Sequence, residues 1–198
     1  MTTLTAKDKI LNASIELMTG RGYSATSVDD IIKRAGVAKG SLYHAFKSKE
    51  ELAIAALEEY LARGYRIIAS GPYLGIRDPV EKALAFVDHI EEKSPELWSH
   101  GCLMGSLAIE VADNYPTLME KIDRLFNQLE GAIAGIFAPA LKARDKIQVT
   151  AKELSTHLLA VIEGSIIAAK SHSSQHYLRD GIRRFRHYLA LLLEQPTG

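Results

Sequence analysis

Five residues near the N-terminus have types and spacing suited to work on a charged polymer. Lys39, Gly40, Tyr43, His44 and Lys47 fall at i, i+1, i+4, i+5 and i+8, a continuous stripe on one helix. The two ammonium groups can reach phosphates and the phenol and imidazole can bond base edges, while the glycine allows close approach. The same pattern also describes an ordinary solvated helix face. A second reactive group is Cys102, the only cysteine in the chain. It stands just ahead of the apolar run Leu103–Val111, and a thiol near a helix N-terminus has a lowered pKa and a more reactive thiolate. His100, if protonated nearby, would add to that, and the plainer alternative for Cys102 is a small buried hydrophobe. His172 and His176, four apart, could share one helical face around a metal. No cysteine or carboxylate cluster accompanies them, so no metal and no cofactor is expected. Gly20-Arg21-Gly22-Tyr23-Ser24-Ala25 fits a loose nucleotide fingerprint, but it follows a helix where that motif requires a strand.

The elements that must carry these groups read as helices throughout. No sustained period-2 alternation and no hairpin dipeptide occurs, whereas apolar residues recur at helical spacing. Ile10, Ala13 and Leu17 form one stripe, stopped by Gly20 and Gly22. Ser27, Ser48, Asp78 and Thr150 each stand three residues before a carboxylate, the signature of a capped helix start, and Pro79 follows Asp78 at a first helical position. Pro116 opens a helix bearing Leu118, Ile122, Leu125, Leu129 and Ile133. The last two helices carry Leu154, Leu158, Val161, Ile162 and Ser165, then Leu178, Ile182, Phe185, Leu189 and Leu192. The expectation is an all-α chain of about nine helices. Gly131 and Gly135, and Gly101 and Gly105, each lie four apart, a spacing that favours close helix packing.

Ser27–Arg34 gives barely two turns, Ala35-Gly36-Val37 a tight bend, and a second short helix follows from Ala38 to about Phe46. Gly36 suits the left-handed conformation at a helix end. This is the layout of a helix-turn-helix over about residues 27–46, with Leu42, Ala45 and Phe46 turned inward.

Composition constrains less. The 198 residues carry 24 basic and 24 acidic side chains, so the net charge is zero. As a total, that balance speaks against phosphate binding, yet residues 1–50 hold eight basic against five acidic groups, and the remainder sixteen against nineteen. The zero conceals a basic N-terminal quarter. A single cysteine cannot form an intramolecular disulfide, which fits a reducing compartment. The stretch Met1–Thr5 does not read as a signal peptide. The longest apolar runs fall short of the roughly 20 residues of a membrane span. A cytoplasmic protein is expected.

The run from Gly22-Tyr23 through the Ala35-Gly36-Val37 turn, Leu42-Tyr43-His44-Ala45-Phe46 and Ser48-Lys49-Glu50-Glu51-Leu52 resembles the DNA-binding domain of TetR-family transcriptional regulators. The resemblance covers about residues 4–64 and implies a helical ligand-binding and dimerisation domain over 65–198. It implies DNA contacts at Lys39, Gly40, Ser41, Tyr43 and His44, phosphate contacts at Tyr43 and Lys49, and another through Thr26 or Ser27. The segment Trp98–Glu110 is similar to one in a branch that includes electrophile- and oxidant-sensing repressors, which makes Cys102 the sensor candidate. Tyr65, Phe86, Trp98, Met104, Phe126 and His157 are expected on helices that line a small-molecule pocket. The resemblance therefore implies a homodimeric repressor, not an enzyme, that binds a palindromic operator in double-stranded DNA. A small-molecule inducer or modification of Cys102 would release it. The alternatives are a ligand-binding helical protein or a thiol enzyme, neither binding DNA. Residues 100 and 102 point apart on a helix, which disfavours a Cys/His hydrolase.

Overall fold

The computed structural model describes residues 4–143 and 148–194. Met1–Thr3 of the N-terminal stretch, and residues 144–147 and 195–198 of the proposed C-terminal domain, lie outside the described residues. Among the described residues there are nine α-helices, a 3₁₀ turn at Pro72–Gly75, and no strand. The helices are α1 (Ala6–Arg21), α2 (Val28–Ala35), α3 (Lys39–Ala45), α4 (Lys49–Ile68), α5 (Pro79–Leu97), α6 (Leu103–Val111), α7 (Pro116–Lys142), α8 (Ala151–Ser171) and α9 (His176–Leu193).

The capping side chains explain where the helices begin. Ser27 and Asp30 form a reciprocal capping box on α2, as do Thr150 and Glu153 on α8. The Asp78 carboxylate accepts the Glu81 N–H at 2.8 Å, and the Ser48 hydroxyl accepts the Glu51 N–H at 3.0 Å. A further box, Thr5 with Asp8, starts α1. Its T-x-x-D signature stands in the sequence at the end of the N-terminal stretch.

The chain divides into two compact units. One contains the chain up to Arg63 together with His100–Phe126. Within it α1 packs on α2, α3 and α6. Ile10, Met18, Ile31, Leu42, Leu52, Leu57, Leu103 and Leu107 are almost wholly buried, and removing such side chains from water is what holds so short a set of helices together. Exposed ion pairs lie between α2 and α1, Arg34 with Glu16 at 2.7 Å, and between α7 and α4, Lys121 with Glu58.

The other unit contains Gly64–Ser99 and the chain from Asn127 on. Here α9 packs on α8 and on α5, and the 3₁₀ turn packs on α5. Aromatic edge contacts run through the interior, Tyr73 to Phe86 at 5.2 Å and Phe86 to Phe137 at 5.9 Å between ring centres. Arg186 and Arg183 of α9 pair with Asp88 and Glu91 of α5. A Cβ on Gly181 would collide with Ser165, so α8 and α9 approach closely at that point. The Gly131/Gly135 pair does not serve the expected purpose within the chain. Both glycines are exposed and a Cβ on either would meet nothing.

Candidate nucleic-acid interface

Helix α2 ends where Gly36 adopts φ +64°, the left-handed conformation, with its N–H donating to the Ile32 carbonyl at 3.0 Å. A residue with a Cβ pays roughly 1–2 kcal/mol there, so glycine permits the sharp turn into α3. Leu42 and Phe46 are 1% and 3% exposed, anchoring one face of α3. Lys39, Gly40, Tyr43 and His44 on the other face are all exposed, Tyr43 by 52%, and Ser41 is half-buried. The inward and outward faces therefore fall as the periodicity implied.

Lys47, Thr26, Lys49 and Lys39 each have a placement or partner that the sequence did not display. Helix α3 ends at Ala45 and Phe46 is extended, so Lys47 is not part of the helical stripe. It is carried in the turn to α4, still exposed, with its N–H donating to the Glu51 carboxylate at 2.8 Å. Thr26 is completely buried and its hydroxyl donates to the Gly22 carbonyl at 2.7 Å. The exposed Ser27 hydroxyl donates to the Asp30 carboxylate at 2.6 Å. Lys49 lies half-buried with its ammonium 4.2 Å from the centre of the Tyr23 ring, a cation–π arrangement. Burial holds its pKa below the ordinary lysine value, against the opposing pull of the Glu110 carboxylate. Lys39 pairs with Asp29 at 3.1 Å, both exposed, and this hydrogen bond raises the lysine pKa.

One participant escaped the sequence reading. Glu110, near the end of α6, accepts the Tyr23 N–H on one carboxylate oxygen and the Ser24 N–H on the other, each at 2.6 Å. Burial pushes this carboxyl up, but the hydrogen bonds from Ser24 and Tyr23 and the Lys49 charge outweigh it, and the pKa lies below the ordinary value. The available signal was that Glu110 is the sole charged residue in α6.

The expected pocket and sensor residues are distributed over both units. Cys102, Met104, His100 and Phe126 belong to the first, and Tyr65, Phe86, Trp98 and His157 to the second. Cys102 and Met104 are buried, His100 is exposed, and Phe126, Tyr65 and Trp98 are half-buried. Cys102 caps α6, its sulfur accepting the Gly105 N–H at 3.5 Å. Phe86 is fully buried. His157 is exposed, edge-on to Phe185 and Tyr188 at 5.2 Å each, in a groove between α8 and α9 and not inside the unit.

The two histidines four apart do not share a helix. His172 caps the end of α8 and His176 begins α9, separated by a turn in which Ser173 has φ +51°. Both rings lie against Tyr177.

Residues 10–66 match the domain described as bacterial regulatory proteins, tetR family, and residues 79–183 match the LmrA/YxaF-like transcriptional regulator C-terminal domain. The HTH-type transcriptional regulator LmrA of Bacillus subtilis is 31% identical over 164 residues, covering 82% of this chain and 85% of LmrA. The HTH-type transcriptional repressor DhaR of a Mycobacterium species is 29% identical over 122 residues, covering 62% of this chain and 60% of DhaR. The crystal structure of a TetR regulatory protein from Rhodobacter sphaeroides superposes with a TM-score of 0.80 at 25% identity, covering 92% of this chain and 98% of that one. A helix-turn-helix presenting a basic face, joined to a matching C-terminal region, places the chain in the TetR family of DNA-binding transcriptional regulators.

Proposed function

We propose that the protein is a cytoplasmic, non-enzymatic homodimeric repressor that reads a palindromic operator and is released by a small-molecule inducer or by modification of Cys102. The observation that carries the DNA-reading part is the outward face of α3, with Lys39, Gly40, Tyr43 and His44 exposed opposite a buried Leu42 and Phe46. In this reading Tyr43, Lys47 and Lys49 meet phosphates, Gly40, Ser41 and His44 meet base edges, and Lys39 exchanges its Asp29 partner for a phosphate. With their hydroxyls bonded internally, Thr26 and Ser27 contribute the start of α2, where backbone N–H groups favour an anion. The functional division runs at residues 4–64 and 65–198.

One helix as short as α3 reads few base pairs, so useful specificity calls for two, about 34 Å apart in successive major grooves. The outer faces of α8 and α9 suit a twofold partner. Ile167 and Leu191 are 57% and 54% exposed there, beside the small residues Ala160, Gly164 and Ala168. The name of DhaR supports repression. Tyr65, Phe86 and Trp98 in one unit, and Met104 and Phe126 in the other, are the candidate effector contacts, while His157 lies in the α8–α9 groove given to the twofold partner.

The test is fluorescence anisotropy on a duplex carrying the sequence upstream of the protein's own coding region. Specific binding that weakens steeply with salt is expected. Equal affinity for that duplex, other genomic sites and random duplex would count against the reading. For the sensor, a Cys102→Ser variant is expected to bind the same duplex as tightly but to stay bound when an electrophile or oxidant is added. Equal release of the variant would remove Cys102 from the mechanism.

A further inference from the structure

The loop between α1 and α2 is held by a residue far away in sequence. Gly22 closes α1 with φ +88°, and its carbonyl accepts the Thr26 hydroxyl. The Tyr23 carbonyl accepts the Thr26 N–H at 3.2 Å. The Tyr23 and Ser24 N–H groups point the other way, onto the two oxygens of Glu110. A Cβ on Gly22 would collide with that carboxylate, so the glycine supplies both the backbone conformation and the room. The buried Tyr23 ring is further held edge-on by Tyr115 at 4.8 Å and capped by Lys49.

We infer that Glu110 is a positioning residue for DNA reading, an ionised clasp on the Tyr23–Ser24 backbone that sets the direction in which α2, and after it α3, leaves α1. Ser27, the cap of α2, lies three residues beyond Ser24, so little chain remains to absorb an error. Two hydrogen bonds to one charged, partly buried acceptor are short and directional. A contact made this way orients a loop as well as stabilising it. Base contacts tolerate little displacement, whereas phosphate attraction is long-ranged and sequence-independent. Loss of the clasp therefore acts on specificity before it acts on general DNA affinity.

The inference rests on the DNA-reading role of α3 and separates from it by experiment. A short duplex enriched from a random pool by the wild-type protein serves as the specific probe, and an unselected duplex as the reference. Both are measured well below the melting temperature of each variant. Glu110→Gln keeps the size, but its amide nitrogen cannot accept the second N–H. It is expected to lower the specific-to-random affinity ratio about tenfold, equivalent to about 1.4 kcal/mol. Affinity for random duplex and its salt dependence should not change. Glu110→Ala should lower the ratio further, and hydrogen exchange at the Tyr23 and Ser24 amides should accelerate in both. A lower melting temperature with an unchanged ratio would assign Glu110 a structural role alone and overturn the inference. Should the alanine variant fail to fold, the glutamine variant decides. If the wild type enriches no preferred duplex, the DNA-reading role of α3 fails instead.

Discussion

Replacing Phe46 with alanine is expected to destabilise the protein by about 3–5 kcal/mol, the usual cost of emptying a buried aromatic site. Phe46 is 3% exposed and stands in extended backbone between α3 and α4. It closes the inner side of the turn and has the Lys7 ammonium 5.8 Å from its ring centre. The surrounding helices are short, seven residues for α3 and eight for α2, and have few other contacts to take up the loss. For a chain of this size the melting temperature should fall by about 6–20 °C. Urea denaturation followed by circular dichroism measures the change. A loss below about 1 kcal/mol would mean that Phe46 is not a core residue of this fold. Because the ring does not face outward, any DNA binding that remains in the folded fraction should keep its sequence preference.

Tyr43→Ala combined with Lys47→Ala should have the opposite signature. Both side chains are exposed, so helical content and melting temperature should hardly move. Binding to the specific duplex should fall about ten- to a hundredfold at constant salt, as expected for lost contacts of about 1–3 kcal/mol. The lysine adds a diagnostic. Removing one phosphate contact should reduce the slope of log affinity against log salt by about one per site. Unchanged affinity and slope would mean that DNA approaches another face. Because both residues meet phosphates in this reading, the loss should be about equal on random and specific duplex, with Gly40, Ser41 and His44 left to read sequence.

The two predictions divide along the buried and exposed sides of the helix-turn-helix, and that division was legible in the sequence. Leu42 and Phe46 recur at helical spacing, Gly36 follows a short capped helix, and the charged and polar groups fall opposite. Caps and periodicity act over three or four residues, so a linear chain displays them. The same local physics placed the starts of α2, α4, α5 and α8 at Ser27, Ser48, Asp78 and Thr150.

Local reading failed where the deciding partner was remote or a turn intervened. His172 and His176 looked like one helical face, but the end of α8 falls between them. Lys47 looked helical until the burial of Phe46 drew the chain into an extended conformation. The resemblance implies a phosphate contact for Lys49, and nothing in the linear chain shows that its ammonium lies over Tyr23.

Helices, their caps, the inward faces and the helix-turn-helix were specified by neighbouring residues, through hydrogen bonds and apolar periodicity that close within a turn or two. The family resemblance rested on the residues of the run from Gly22 to Leu52, not on caps or periodicity. The Glu110 clasp joins groups 86 and 87 residues apart, and its acceptor is a side chain while its donors are featureless backbone amides. Nothing in the linear order marks which N–H group a distant carboxylate will meet. Only the packing of α6 on α1 brings that carboxylate to the loop, and with it a physical reason why Gly22 precedes Tyr23.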